Sequence, residues 1–177
     1  QNNIELPFNF SAQTVGNDPF AVNLAWSQGE GYEAIAVLRN GEEIDRIGLL
    51  SQYQDTLLQP GLYTYQLRAV ARDVLQAPVT APPVEISVPP CTGLICTLTE
   101  DGQVALQWHN PANNYDHFDY DAVVLQRTLI TPDGTEQELE AREVNHDAHN
   151  YLDTVAQGAG QYRYTLRVRY NNNIYPI

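Results

Sequence analysis

The residues YEAIAVLR at 32–39 return in the same pattern as YDAVVLQR at 120–127. Each copy opens with Tyr and an acid. Each then runs through Ala, a β-branched residue, a spacer, an aliphatic, a spacer and Arg. The period is two, so Ile35 and Val37, like Val123 and Leu125, fall on one side of a strand and face a core. A chain that writes one strand twice, 88 residues apart by the numbering of Tyr32 and Tyr120, reads as two copies of one small domain.

The flanking sequence repeats with it. Trp26 matches Trp108, Tyr53-x-Asp55-Thr56 matches Tyr151-x-Asp153-Thr154, and Tyr63-x-Tyr65-x-Leu67 matches Tyr162-x-Tyr164-x-Leu166. The offset grows along the chain, so the second copy carries its extra residues between strands, where loops absorb them at little cost. Alternation is just as clear around these landmarks. Tyr63, Tyr65, Leu67 and Ala69 share one face of a strand. So do Tyr162, Tyr164, Leu166 and Val168, with Arg163, Arg167 and Arg169 opposite. Short alternating runs broken by Gly, Pro, Asn and Asp predict antiparallel sheets and almost no helix. The acid-rich stretch from Gly134 has helix-forming residues, but it follows a Pro132-Asp133-Gly134 turn, so 136–144 reads as a return strand.

Between the copies, residues 76–93 read QAPVTAPPVEISVPPCTG, with five prolines. Proline belongs on edge strands and in linkers. The expected division is therefore 1–89 and 91–177, joined at Pro89-Pro90. In the second copy only IYPI follows the Asn171-Asn172-Asn173 turn, too little for a full last strand, so either the chain continues in the natural protein or the edge is left open and can accept a neighbour's strand.

The Trp, the Arg-ended strand with its turn and the late Tyr together resemble a fibronectin type III domain, twice. The first copy shows the pattern best, with Leu58-Gln59-Pro60-Gly61 and Tyr63 in the places of the family's Leu-x-Pro-Gly corner and the aromatic that follows. The corner is a residue shorter than in the common animal pattern and looks more like those of bacterial extracellular proteins. The second copy departs further, with Gly158-Ala159-Gly160 in place of Pro-Gly. The resemblance implies an all-β chain of two tandem immunoglobulin-like β-sandwiches. It also implies structural core roles for Trp26, Trp108, Tyr63 and Tyr162, the two tyrosines as corner residues tied to an upstream loop. It says little about function.

Composition bounds the rest. The 177 residues carry a formal net charge of −13, and every basic residue is Arg. Such a surface repels phosphate backbones and anionic bilayers, so neither nucleic acid nor membrane insertion is expected. The chain has no Met, which suits a processed product or a piece of something longer. Cys91 and Cys96 could be a local disulfide turned by Thr92-Gly93, half of a metal site or two free thiols.

Candidate sites are few. The loop NNYDHFDYD at 113–121 holds Asp116, Asp119 and Asp121, a weak Ca²⁺ candidate whose alternative is a solvated loop. It also holds Tyr115, Phe118 and Tyr120, which either meet a partner or fold back onto the core. His146 and His149 lack a third ligand nearby in sequence. No catalytic motif is present, and no cofactor is expected. Asp55 and Asp153 recur before the corner and read as caps on a turn. The Arg row of the last long strand is expected to pair with Glu138, Glu140 or Glu143, a kind of surface pairing that contributes little. The Asn9-Phe10-Ser11 sequon would matter only in a eukaryotic secretory context. The expected role is non-catalytic: an extracellular spacer, adhesion or structural module of a larger secreted or cell-surface protein, meeting protein or polysaccharide. The alternatives are a filament or surface-layer subunit, homo-assembling by strand exchange, and a carbohydrate-binding module of a secreted hydrolase.

Overall fold

The computed structural model describes residues 3–111, 119–154 and 161–176. The chain divides into two compact units, the first ending at Ser87 and the second beginning at Val88. The described residues contain no helix.

In the first unit, β1 (Phe8–Val15), β2 (Asp18–Ser27) and β5 (Gln52–Asp55) form one sheet, in that order. A second sheet runs β4 (Glu42–Ile47), β3 (Ala34–Arg39), β7 (Tyr65–Ala71), β8 (Val74–Thr80). A small ladder joins β6 (Gly61–Tyr63) to β9 (Val84–Ile86). All pairings are antiparallel. The β3–β4 turn is Asn40-Gly41 and the β7–β8 turn is Arg72-Asp73, and all four residues are left-handed, as a two-residue hairpin with right-handed twist requires.

The second unit repeats the plan with β10 (Thr92–Leu98), β11 (Val104–His109) and β15 (Asn150–Asp153) in one sheet. The other is built on β12 (Ala122–Ile130) and β16 (Gln161–Tyr170). β13 (Glu136–Glu138) and β14 (Arg142–Asn145) both pair with β12, and β17 (Asn173–Tyr175) pairs with β16. The expected return strand at 136–144 is therefore present, interrupted between Glu138 and Arg142.

The repeated strand is β3 in one unit and the start of β12 in the other. Ile35, Val37, Val123 and Leu125 are fully buried. Ala36 and Val124, on the opposite face, are buried as well. Ala36 lies between Arg46 and Arg68, and Val124 between Glu143 and Arg167, so long polar side chains flank that face. Trp26 and Trp108 are both buried. Phe10 meets Trp26 edge to face, 6.2 Å between centroids. Trp108 donates its Nε1–H to Asn110 at 2.8 Å, whereas the buried Trp26 Nε1 has no partner among the described residues.

Tyr63 and Tyr162 need correcting as core residues. Both are half-buried, and the fully buried tyrosine of the first unit is Tyr65. Tyr63 does tie the corner: its hydroxyl donates to the Gln59 carbonyl at 2.8 Å and accepts from the Gln59 N–H at 3.1 Å. Tyr162 stacks on Tyr164, 6.4 Å between centroids.

Cys91 and Cys96 are free thiols. Thr92-Gly93 does not turn the chain. Three residue steps from Thr92 to Ile95 oppose two from His109 to Gln107, which is a β-bulge with Gly93 left-handed. The strand stays extended, at about 3.3 Å per residue, and carries the two thiols away from each other.

Candidate functional site

The most site-like groups of charged side chains occur twice, at matching places. In the first unit Arg39 ends β3 and Asp55 ends β5, in opposite sheets. The Arg39 Nη1 donates to both Asp55 carboxylate oxygens at 3.0 Å, and the Tyr65 hydroxyl donates to Asp55 Oδ2 at 2.8 Å. In the second unit Arg127 Nη1 donates to Asp153 at 3.0 and 3.1 Å, and the Tyr164 hydroxyl donates to the same carboxylate at 3.1 Å. Each triad spans the core from one sheet to the other.

Their surroundings differ. The Asp153 side chain is fully buried and that of Arg127 is 6% exposed, while Arg39 is 35% exposed beside a nearly buried Asp55. Burial first, and then the neighbouring carboxylate, pushes both tyrosine hydroxyls well above the usual phenol range. Tyr65 and Tyr164 are therefore neutral donors to an acceptor that needs them. A triad whose hydrogen bonds are used in holding two sheets together offers no free base or nucleophile.

The reading of Asp55 and Asp153 as turn caps is thus corrected. Their carboxylates bind side chains from the facing sheet. Sequence reasoning missed Arg39 and Arg127 as partners, although the signal was there: the repeated strand ends in Arg in both copies, and the Asp recurs in both. Paired recurrence of opposite charges is the trace that an ion pair leaves in a duplicated domain.

The loop candidates fare differently. Asp116, Tyr115 and Phe118 lie outside the described residues. Tyr120 is buried, and its hydroxyl donates to the His146 carbonyl at 2.7 Å, which corrects its reading as a partner-binding aromatic. Burial is the main cause that pushes this hydroxyl up to about 12. Asp119 is exposed, and the Asp121 carboxylate accepts the Asn172 N–H at 3.4 Å. Among the described residues no group of three His, Cys, Asp or Glu could hold a metal ion. His146 pairs with its neighbour Asp147 at 2.8 Å, and the His149 carbonyl accepts the Trp108 N–H. Of the Arg row, Arg163 pairs with Glu136 and Arg169 with Glu143, so the expected Glu143 is correct and Glu136 replaces Glu138 and Glu140. A shallow groove of about 660 Å³ runs beside β5, lined by Asn23, Gln52, Gln54 and the exposed Leu49 and Leu50.

Two antiparallel sheets around a buried Trp, twice in one chain, define tandem fibronectin type III-like sandwiches. The solved structure of a two-domain fibronectin type III segment from chicken tenascin is similar over 97% of this chain and 94% of that one, with a TM-score of 0.51 and 12% identity. The central fibronectin-III array of RIM-binding protein aligns over 96% of this chain and 60% of its own, with a TM-score of 0.37 and 15% identity. At 12% identity the tenascin likeness establishes the fold and nothing finer. No family model and no curated protein matches the chain.

Proposed function

We propose that the chain is a non-catalytic structural module, a spacer or adhesion segment of a larger secreted or cell-surface protein. The observation that carries this reading is the duplicated Arg–Asp–Tyr triad. The charged groups most like a catalytic site are equivalent in both units, and all of them are engaged in joining one sheet to the other. Duplicated internal bracing suits a part whose task is to keep its shape while other parts bind or react. The acidic, lysine-free surface favours solubility without attraction to nucleic acid or anionic lipid.

The test is replacement. In the protein that carries this chain, an unrelated pair of β-sandwich domains of similar length is put in its place, and surface display and partner binding are measured. Both are expected to persist. Loss of partner binding with display intact overturns the reading and makes the chain itself the binding element.

A further inference from the structure

Charge is divided unevenly between the two sheets of the first unit. The sheet of β4, β3, β7 and β8 carries Arg39, Glu42, Glu43, Asp45, Arg46 and Arg68. The sheet of β1, β2 and β5 carries only Asp18 and Asp55, and both are buried. Asp18 accepts the Phe20 N–H at 2.9 Å, and Asp55 belongs to the triad. The outward face of this sheet therefore holds no charge, in a chain with 22 acidic and 9 basic residues.

The register lays that face out in rows. On β2 the buried Leu24 and Trp26 alternate with Asn23, Ala25 and Ser27, which face outward. Gln13, Asn23 and Gln54 stand side by side across the three strands, and so do Ser11, Ala25 and Gln52. Neighbours within a row are about 5 Å apart, and the rows are about 7 Å apart. Phe8 stands opposite Ser27, one row further on. Ala25 has only a methyl group, so it forms a floor between longer side chains. The groove of about 660 Å³ lies over this floor, between Asn23, Gln52 and Gln54 and the wall made by Leu49 and Leu50.

The polar side chains in these rows are not engaged by the protein itself. The amides of Gln13, Asn23, Gln52 and Gln54 are exposed and make no hydrogen bond among the described residues. Apolar surface stands beside them. Phe8 is 45% exposed, whereas Phe10, Phe20, Trp26 and Trp108 are all buried. Leu49 and Leu50 are exposed too, yet their backbone is fastened. Gln28 donates its side-chain amide to the Leu50 carbonyl, the Leu50 N–H bonds the Gly48 carbonyl at 2.8 Å, and the Ser51 carbonyl accepts the Trp26 N–H at 3.0 Å. The wall is thus held in place with its apolar side in water. The equivalent face of the second unit also lacks Arg and exposed acids, but the amide cluster is missing. Ala105 and Leu152 stand there in place of Asn23 and Gln54, and Gln107 fills the place of the Ala25 floor.

We propose that this face of the first unit is a binding site for an uncharged glycan chain. Side-chain amides both donate and accept, as sugar hydroxyls do, so the rows offer matching partners on either side of the Ala25 floor. Leu49, Leu50 and Phe8 supply apolar surface for the C–H faces of pyranose rings. Charge decides between occupants. The face has no cation and the chain around it has a net charge of −13, so uronate and sulfated glycans are repelled, as are nucleic acid and anionic lipid. A protein partner is disfavoured, because the rows hold no Trp, Tyr or Arg to anchor the core of an interface. The proposal does not rest on the spacer reading, since sugar binding is measured on this chain alone and domain replacement on the protein that carries it.

The test uses the full chain and a set of uncharged hexasaccharides: cellohexaose, xylohexaose, laminarihexaose, maltohexaose and chitohexaose. A hexamer of galacturonic acid is the charged control. NMR follows the side-chain amide signals of Asn23, Gln52 and Gln54 during each titration. At least one neutral sugar is expected to shift these signals saturably, and the galacturonate hexamer is expected to leave them unmoved. The double change Gln52→Ala and Gln54→Ala is expected to weaken binding about tenfold, the scale of lost hydrogen bonds. Both positions are exposed, so the fold is expected to persist, and the buried Trp26 reports on it by fluorescence. Gln107→Ala, on the equivalent face of the second unit, is expected to bind as the unaltered chain does. No shift with any neutral sugar overturns the proposal. So does equal binding by the double variant, by the galacturonate hexamer, or loss of binding in Q107A. Shifts that grow with protein concentration alone also overturn it, and make the face a contact between copies of this chain.

Discussion

The two units share a plan and differ in where water reaches it. In the first, the last hairpin continues into β8 and β9, and the core around Tyr65 and Leu67 is sealed. In the second, β17 has three residues, and Tyr164, Leu166 and Leu98 keep contact with solvent. The ion pairs differ in the opposite sense: the triad of the second unit is the deeper one. The second unit therefore leans on its buried polar brace where the first leans on apolar closure. Hydrophobic burial and a dehydrated ion pair respond differently to mutation, so the contrast can be tested. Each unit has one Trp, and Trp fluorescence in W26F and W108F backgrounds reports the two units separately.

The largest effect is expected from Asp153→Ala, which leaves Arg127 buried and unpaired and should cost the second unit about 3–5 kcal/mol in urea unfolding. Asp55→Ala should cost the first unit less, about 1–3 kcal/mol, because water can reach the abandoned Arg39. Equal losses would break the comparison. Next comes the apolar side, with the order reversed. Leu67→Ala should cost about 2–5 kcal/mol, and Leu166→Ala, already half in water, roughly 1 kcal/mol.

A smaller effect concerns alkaline pH. Tyr65 is neutral in the folded state to a pH above its unfolded value of about 10. Its folded pKa is raised, so the stability it contributes is fully present below pH 10 and is lost as pH climbs beyond that. Tyr65→Phe should cost about 1 kcal/mol at pH 8 and should flatten the alkaline fall in urea midpoint of the first unit. The smallest effect is Asn110→Ala. It strips Trp108 of its Nε1 acceptor and should cost the second unit about 1 kcal/mol or less. Trp26 already lacks such a partner among the described residues, and the first unit tolerates it.

The sandwich was legible because its signals are local. Alternation at 32–39, 63–69 and 162–168 marks strands, and the two Trp and the Pro-rich joint mark a duplication. The bracing was not legible, because Arg39 and Asp55 lie in different sheets and nothing within either strand reports which residue faces it. Tyr120 was open for a related reason. A tyrosine beside acids in a loop can meet a partner or fold back onto the core, and the His146 carbonyl, far along the chain, draws it inward. The thiol pair was open in sequence because Thr92-Gly93 serves a turn or a bulge equally well, and the register with β11 decides it.

That bulge has a practical consequence. By keeping the two thiols apart, it leaves the second unit with a graded pair of labelling handles. Burial pushes the Cys91 thiol up to about 11, so at neutral pH very little thiolate is present for a maleimide to capture. Cys96 is the more exposed of the two and sits on the inward face of β10. A dye attached in a short pulse would mark Cys96 first, and the rate of that reaction would report how freely solvent reaches the inward face of β10.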